Sequence, residues 1–150
     1  SGPEPQRSIF EKLLEKELLN SGLKSIMLSA KPNLNKQENI KNILKVSHLP
    51  DKEFAQTIME SELIISRPGY STIMDLVHFG KRAIFIPTPG QTEQEYLSED
   101  LMKNNYYYYQ KQDRLDLKTA FGNSRNYNPL KMNNDFKTLY ERITFLLNLP

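Results

Sequence analysis

"ELIISRPGYSTIMDLVHFGKRAIFIPTPG", residues 62–90, is the stretch on which the fold turns. ELIIS (62–66) is a short continuous apolar run, as expected of a strand covered on both faces. An arginine, a proline and a glycine stop it, and a cluster of small hydroxyl residues follows at once. From there Ile73, Met74, Leu76, Val77 and Phe79 make a helix apolar around much of its circumference, and Gly80 ends it. RAIFIP (82–87) reads as a second buried strand and TPGQ (88–91) as a turn. A strand, a helix and a strand in quick succession are the unit of a parallel sheet.

The flanking sequence extends the pattern. Ser8 and Glu11 have capping-box spacing, and Phe10, Leu13, Leu14 and Leu18 follow at helical spacing up to Gly22. KSIMLSA (24–30) reads as a strand, PNLNKQEN (32–39) as polar and turn-rich, and IKNILKVS (40–47) as a second strand. Asp51 is placed to cap a helix with Phe54, Ile58 and Met59 on one side. Thr92 and Glu95 form a second capping box for a helix reaching about Asn104. YYYY (106–109) is strand-prone, residues 110–134 read as a polar loop with some local structure, and a final helix carries Phe136, Leu139, Tyr140, Ile143 and Leu147. The expected class is α/β, a doubly wound parallel sheet with helices on both faces.

Length and composition bound the rest. A chain of 150 residues can bury one substantial core. Twenty basic residues against 18 acidic ones are too balanced to argue for nucleic acid. The absence of cysteine excludes disulfides, thiolate metal sites and cysteine nucleophiles. No apolar run is long enough to span a membrane, and no signal-peptide pattern opens the chain. The opening, SGPEPQRSIFEKLL, has no initiator methionine and no strand before its first helix. It reads as a cut from a longer polypeptide, or, for Ser1-Gly2, as a cloning remnant.

Ligands of open α/β sheets sit beyond the carboxyl ends of the strands. Three loops are expected there: 1–7, 66–72 and 87–95. In the second, Gly69 allows close backbone approach, and the N–H groups of Tyr70, Ser71 and Thr72 would point out of a helix end that suits phosphate. Arg67 could add a charge-assisted contact. Asp75, about one turn in, could accept hydrogen bonds from a sugar diol. On spacing alone the structural explanation, a dipole-favourable Asp and a turn glycine, has the edge. In the third loop Glu95 is assigned to the capping box, while Gln91, Glu93 and Gln94 offer donors and acceptors suited to sugar hydroxyls. Solvated first-turn residues are the even alternative. In the first loop Arg7 is a candidate phosphate contact. Neither the dinucleotide fingerprint nor the P-loop is present.

The three loops together resemble the C-terminal, nucleotide-sugar-binding half of GT-B glycosyltransferases of family 28, the family that includes the peptidoglycan N-acetylglucosaminyltransferase. SRPGYSTIMD (66–75) is similar to that family's Ser-Arg-x-Gly-x-x-Thr-x-x-Glu segment, with Asp75 where the family usually has Glu. The resemblance implies a diphosphate on Gly69, Tyr70, Ser71, Thr72 and Arg7, and a ribose on Asp75. Glu93-Gln94 resembles the Asp-Gln that ends the plant glucosyltransferase box and contacts the donor sugar; Gln91 falls with it. VSHLPDKEF (46–54) resembles the segment beside the uracil, which places His48 and Leu49 there.

The resemblance implies a Rossmann-like domain spanning 1–150, the C-terminal donor-binding half of a two-domain protein whose N-terminal acceptor half is absent. The full protein would be an inverting hexosyltransferase using a UDP-sugar, and the isolated domain would be inactive. The catalytic base would lie in the absent half, so neither His48 nor His78 is assigned a catalytic role. No metal or further cofactor is expected. The implied partners are a nucleotide sugar, the acceptor half and a membrane-associated lipid or glycan acceptor, with a cytoplasmic location peripheral to the membrane. Two other functions stay open: a non-catalytic subunit that recruits a partner through the Tyr-rich strand and last helix, and half of a UDP-sugar epimerase.

Overall fold

The computed structural model describes residues 3–29, 36–130 and 141. Helix α1 (Gln6–Ser21) leads to strands β1 (Ser25–Leu28), β2 (Gln37–Ile40) and β3 (Ile43–Val46), then α2 (Asp51–Glu60) and β4 (Ile64–Ser66). Helix α3 (Tyr70–Phe79), β5 (Ala83–Phe85), α4 (Thr92–Lys103) and β6 (Tyr108–Tyr109) follow, then a 3-10 turn (Gln112–Arg114) and α5 (Leu117–Ser124). The strands form two three-stranded sheets, β1-β3-β2 and β4-β5-β6. The second is wholly parallel, and in the first β1 runs parallel to β3. This is the expected α/β, Rossmann-like architecture, with one antiparallel strand, β2, on the first sheet.

β5 carries the packing. Successive residues of a strand face opposite ways, and here both faces are apolar. Ala83 and Phe85 join Ile73, Leu76 and Val77 of α3 and Leu97 and Leu101 of α4. Ile84, with Ile86 just beyond, joins Phe10, Leu14 and Leu18 of α1 and Leu117 and Ala120 of α5. Helices thus cover both faces of the second sheet, as a doubly wound fold requires. Met27 and Ile43 belong to the α1–α5 cluster and tie the first sheet to the second. Tyr107 and Tyr108 are buried in these clusters, with Tyr106 and Tyr109 half-buried against them.

Several local expectations are corrected. The run 40–47 is not one strand but the inner half of a hairpin: β2 and β3 meet across Lys41-Asn42, with Lys41 at φ 53°. Asn42 holds that turn by donating to the carbonyls of Leu18 and Leu23. The segment read as turn-rich therefore contributes Gln37–Asn39 to a strand. α1 starts two residues before Ser8, and Glu4, not a Ser8–Glu11 box, accepts the Ser8 N–H at 3.3 Å. Asp51 is the first residue of α2 and makes no cap bond; of the three residues expected on its apolar side only Ile58 is buried, with Phe54 and Met59 exposed. Thr92 does not cap α4 either. The loop beyond Gln110 contains α5, whose cap is Asp116: its carboxylate accepts from the Thr119 N–H at 3.1 Å and from the Thr119 hydroxyl at 2.6 Å. Gly22 and Gly80 end α1 and α3 in the left-handed conformation, as the sequence predicts. The last helix, with Phe136 to Leu147, lies outside the described residues.

Two stability predictions follow from this packing. Phe85→Ala empties space between β5 and helices α3 and α4 and is expected to cost about 3–5 kcal/mol in urea denaturation. Ile26→Ala, on a strand residue that is 47% exposed, is expected to change stability by less than about 1 kcal/mol. The Thr119 hydroxyl and then the Thr119 N–H hold the Asp116 carboxyl below its ordinary pKa. A carboxyl lowered on folding stabilises above its unfolded pKa, and that stability is lost as pH falls through the lower folded value. Asp116→Ala is therefore expected to be less stable than the parent at neutral pH, with the gap closing as pH falls through the lowered folded pKa, as read by paired urea melts.

Candidate functional site

Parallel pairing of β4 with β5 sends the loops after Ser66 and after Phe85 out of the same edge of the sheet. Two of the three expected loops are therefore neighbours. The third, at the start of α1, is drawn to the same edge through the 3-10 turn, where Gln112 Nε2 donates to Gln6 Oε1 at 3.2 Å.

Arg67 sits where these pieces meet, and its role differs from a surface phosphate contact. The side chain is only 5% exposed. Nη1 donates to the carbonyls of Ile86 and Pro87, both at 2.8 Å, and Nη2 donates to Gln112 Oε1. The guanidinium lies over the Phe10 ring, 3.9 Å from its centre. Burial lowers its pKa to about 10, so it remains a cation at neutral pH. Nε has no partner among the described residues.

Beyond Arg67 the backbone turns at Gly69, the residue before α3. Its φ of −88° is open to any residue, and a Cβ there would meet only Thr72 Oγ1, at 3.8 Å. Neither backbone conformation nor packing within the described chain calls for glycine; its lack of a side chain leaves space before the first turn of α3. No side chain caps that helix end. The N–H groups of Tyr70, Ser71 and Thr72 are those that a helix leaves without an internal acceptor. Asp75 is exposed, one turn further on and on the face of Ser71, as the i, i+4 spacing requires. The turn and Asp75 are thus brought together.

The loop at 87–95 is more ordered internally than its composition suggests. Gln94 Oε1 accepts the Thr88 N–H at 2.9 Å, and its amide nitrogen donates to Gln91 Oε1. Gln94 therefore has a structural task, contrary to expectation, and Gln91 orients it. Glu95 reaches back to the Gly90 N–H at 3.2 Å in place of a capping box with Thr92. Glu93 is exposed and, unlike these neighbours, enters none of this loop's hydrogen bonds. Free polar groups here are thus fewer than the sequence implies: the Gln91 main chain and both ends of the Gln94 amide are bonded, which leaves the Glu93 carboxylate.

Arg7 is held by Glu4, with Nε at 3.0 Å and Nη2 at 2.6 Å from the same carboxylate oxygen, so its charge is already matched. His48 is exposed and Leu49 half-buried. Leu49 lines a groove of about 290 Å³ between α2 and the first sheet, with Ile26, Leu44, Val46, Glu53 and Thr57. That groove belongs to the first sheet, whereas the turn at 66–72 belongs to the second. Gln112 was not foreseen as part of the edge; its only signal is a polar residue in a Gln- and Asn-rich stretch, which no local pattern separates from its neighbours.

Three comparisons bear on this edge. The model of the glycosyltransferase family 28 C-terminal domain matches residues 50–135, which include the turn at 66–75 and the loop at 87–95. A UDP-N-acetylglucosamine--N-acetylmuramyl-(pentapeptide) pyrophosphoryl-undecaprenol N-acetylglucosamine transferase from Buchnera aphidicola subsp. Schizaphis graminum (strain Sg) is 33% identical over 104 residues, covering 65% of this chain. The match spans 29% of that relative's length. No solved structure matches the chain.

Proposed function

This chain belongs to the glycosyltransferase family 28 C-terminal domains, and from that membership we propose that it is the UDP-sugar-binding half of an inverting glycosyltransferase that moves a hexosyl group to an acceptor held by another domain. One observation carries the reading. The uncapped end of α3, the space left by Gly69 and the exposed Asp75 stand together at the edge from which the 87–95 loop also leaves.

The chemistry suits that placement. As the bond from sugar to diphosphate breaks, negative charge grows on the leaving phosphate. A helix N-terminus presents about half a positive charge and fixed N–H donors to it. On this reading the N–H groups of Tyr70, Ser71 and Thr72 hold the diphosphate and Asp75 accepts from the ribose hydroxyls. Glu93, with Gln91 and Gln94, faces the donor sugar, and His48 and Leu49 flank the uracil. Arg7 reaches a phosphate only by leaving Glu4. The helix end, not a resident metal, carries the charge. The base that activates the acceptor lies outside this domain, so the domain alone binds donor and transfers nothing. The relative's printed acceptor is lipid-linked; by extension the acceptor here is membrane-associated and the protein works at the cytoplasmic membrane surface. Among the described residues no helix is long and apolar enough to cross a membrane.

Isothermal titration calorimetry with UDP and UDP-N-acetylglucosamine tests the reading; absence of heat with both at about millimolar ligand, where even 4 kcal/mol of binding registers, overturns it. Asp75→Ala is expected to weaken UDP by about tenfold, the worth of one hydrogen bond to a carboxylate. The same substitution should leave 2′,3′-dideoxy-UDP unchanged. Equal losses for the two nucleotides would remove the ribose from Asp75 while leaving the diphosphate on α3.

A further inference from the structure

The loops that would hold the two ends of a nucleotide sugar are joined by one buried side chain. Arg67 starts the turn that leads to Gly69 and α3, yet both Nη1 bonds go to the carbonyls of Ile86 and Pro87, where the 87–95 loop begins. Its Nη2 bond goes to Gln112, and Gln112 in turn holds Gln6 at the start of α1. Stacking over Phe10 fixes the plane of the fork from the α1 side. Among the described residues no carboxylate shares these contacts, and the acceptors that hold the guanidinium there are neutral. The next residue of the sugar-side loop, Thr88, is the one whose N–H binds Gln94. A continuous path of bonded groups therefore runs from the phosphate turn through Arg67 and residues 86–88 to Gln94.

We propose that Arg67 is a positioning residue: without touching the ligand, it sets the α3 turn and the 87–95 loop at one separation, so that diphosphate and sugar are bound together rather than independently. The inference rests on the nucleotide-sugar reading of the site. A planar guanidinium can reach three acceptors in fixed directions, whereas a lysine ammonium is a point charge on a flexible stem. Arg67→Lys thus preserves the cation and removes the fork.

Two readouts separate positioning from general support of the fold: the ratio of affinities for UDP-N-acetylglucosamine and UDP, and amide exchange with UDP bound. In the parent chain UDP, which lacks the donor hexosyl group, is expected to slow exchange at 69–73 and also at 87–95. In Arg67→Lys UDP should slow only 69–73, and the affinity ratio should fall about tenfold, within the usual range for coupled groups. Gln112→Met frees the fork from its third acceptor but leaves the carbonyl bonds; the ratio should fall about threefold. If Arg67→Lys does not fold, Gln112→Met decides. A parent chain that binds both ligands, with the ratio and both protected segments unchanged in the folded variants, overturns the role of Arg67 alone. A parent chain that binds neither ligand overturns the nucleotide-sugar reading and this inference with it.

Discussion

A guanidinium placed out of water must find acceptors for its N–H groups, and in this protein the acceptors of Arg67 decide what lies next to what. Two are the carbonyls that follow β5, and the third is a side chain from the 3-10 turn after β6. Those carbonyls lie beyond the last ladder pair of β4 and β5, where strand pairing no longer supplies partners. The same charge that they satisfy would be costly to bury alone. Cation and carbonyls are thus each other's solution. The face of Phe10 closes the remaining side, so α1 is seated against the edge by the same group.

This arrangement depends in turn on β5. Because Ala83, Ile84 and Phe85 are buried on both faces, the strand has little freedom to slide or tilt. Its carboxyl end is then a fixed platform, and the turn that leaves β4 beside it inherits that rigidity. Helix α3 packs Ile73, Leu76 and Val77 against the same strand, which directs its open N-terminal turn to the edge. The electrostatic property of interest is therefore a by-product of packing: one helix end, lacking a cap, is pinned where a ligand of the sheet would sit.

The neighbouring loop shows how polar residues can serve order and recognition at once. Gln91, Gln94 and Glu95 satisfy one another and the N–H groups of Thr88 and Gly90. A loop preorganised in this way loses less conformational freedom when it meets a ligand. It also means that a ligand must share or replace existing bonds there, whereas at the α3 turn the donors are ready.

Much of this was legible in the amino-acid order. The apolar runs at 62–66 and 82–87, separated by a helical pattern ending at Gly80, announced the strand–helix–strand unit, although only β5 is fully buried and β4 is half-buried. The same stretch held the glycine turn and the acid at the right spacing, and so the family. Hairpin and cap details were not legible. Lys41-Asn42 carries no glycine to announce a turn, and Ser8, Asp51 and Thr92 looked like caps because spacing alone cannot say where a helix begins. Tertiary structure alone decided that Arg67 faces inward, that Gln94 is bonded within its loop, and that Arg7 is matched by Glu4. Each of those outcomes turns on which acceptor lies within reach, and reach between residues 67, 86 and 112 exists only once the strands have paired.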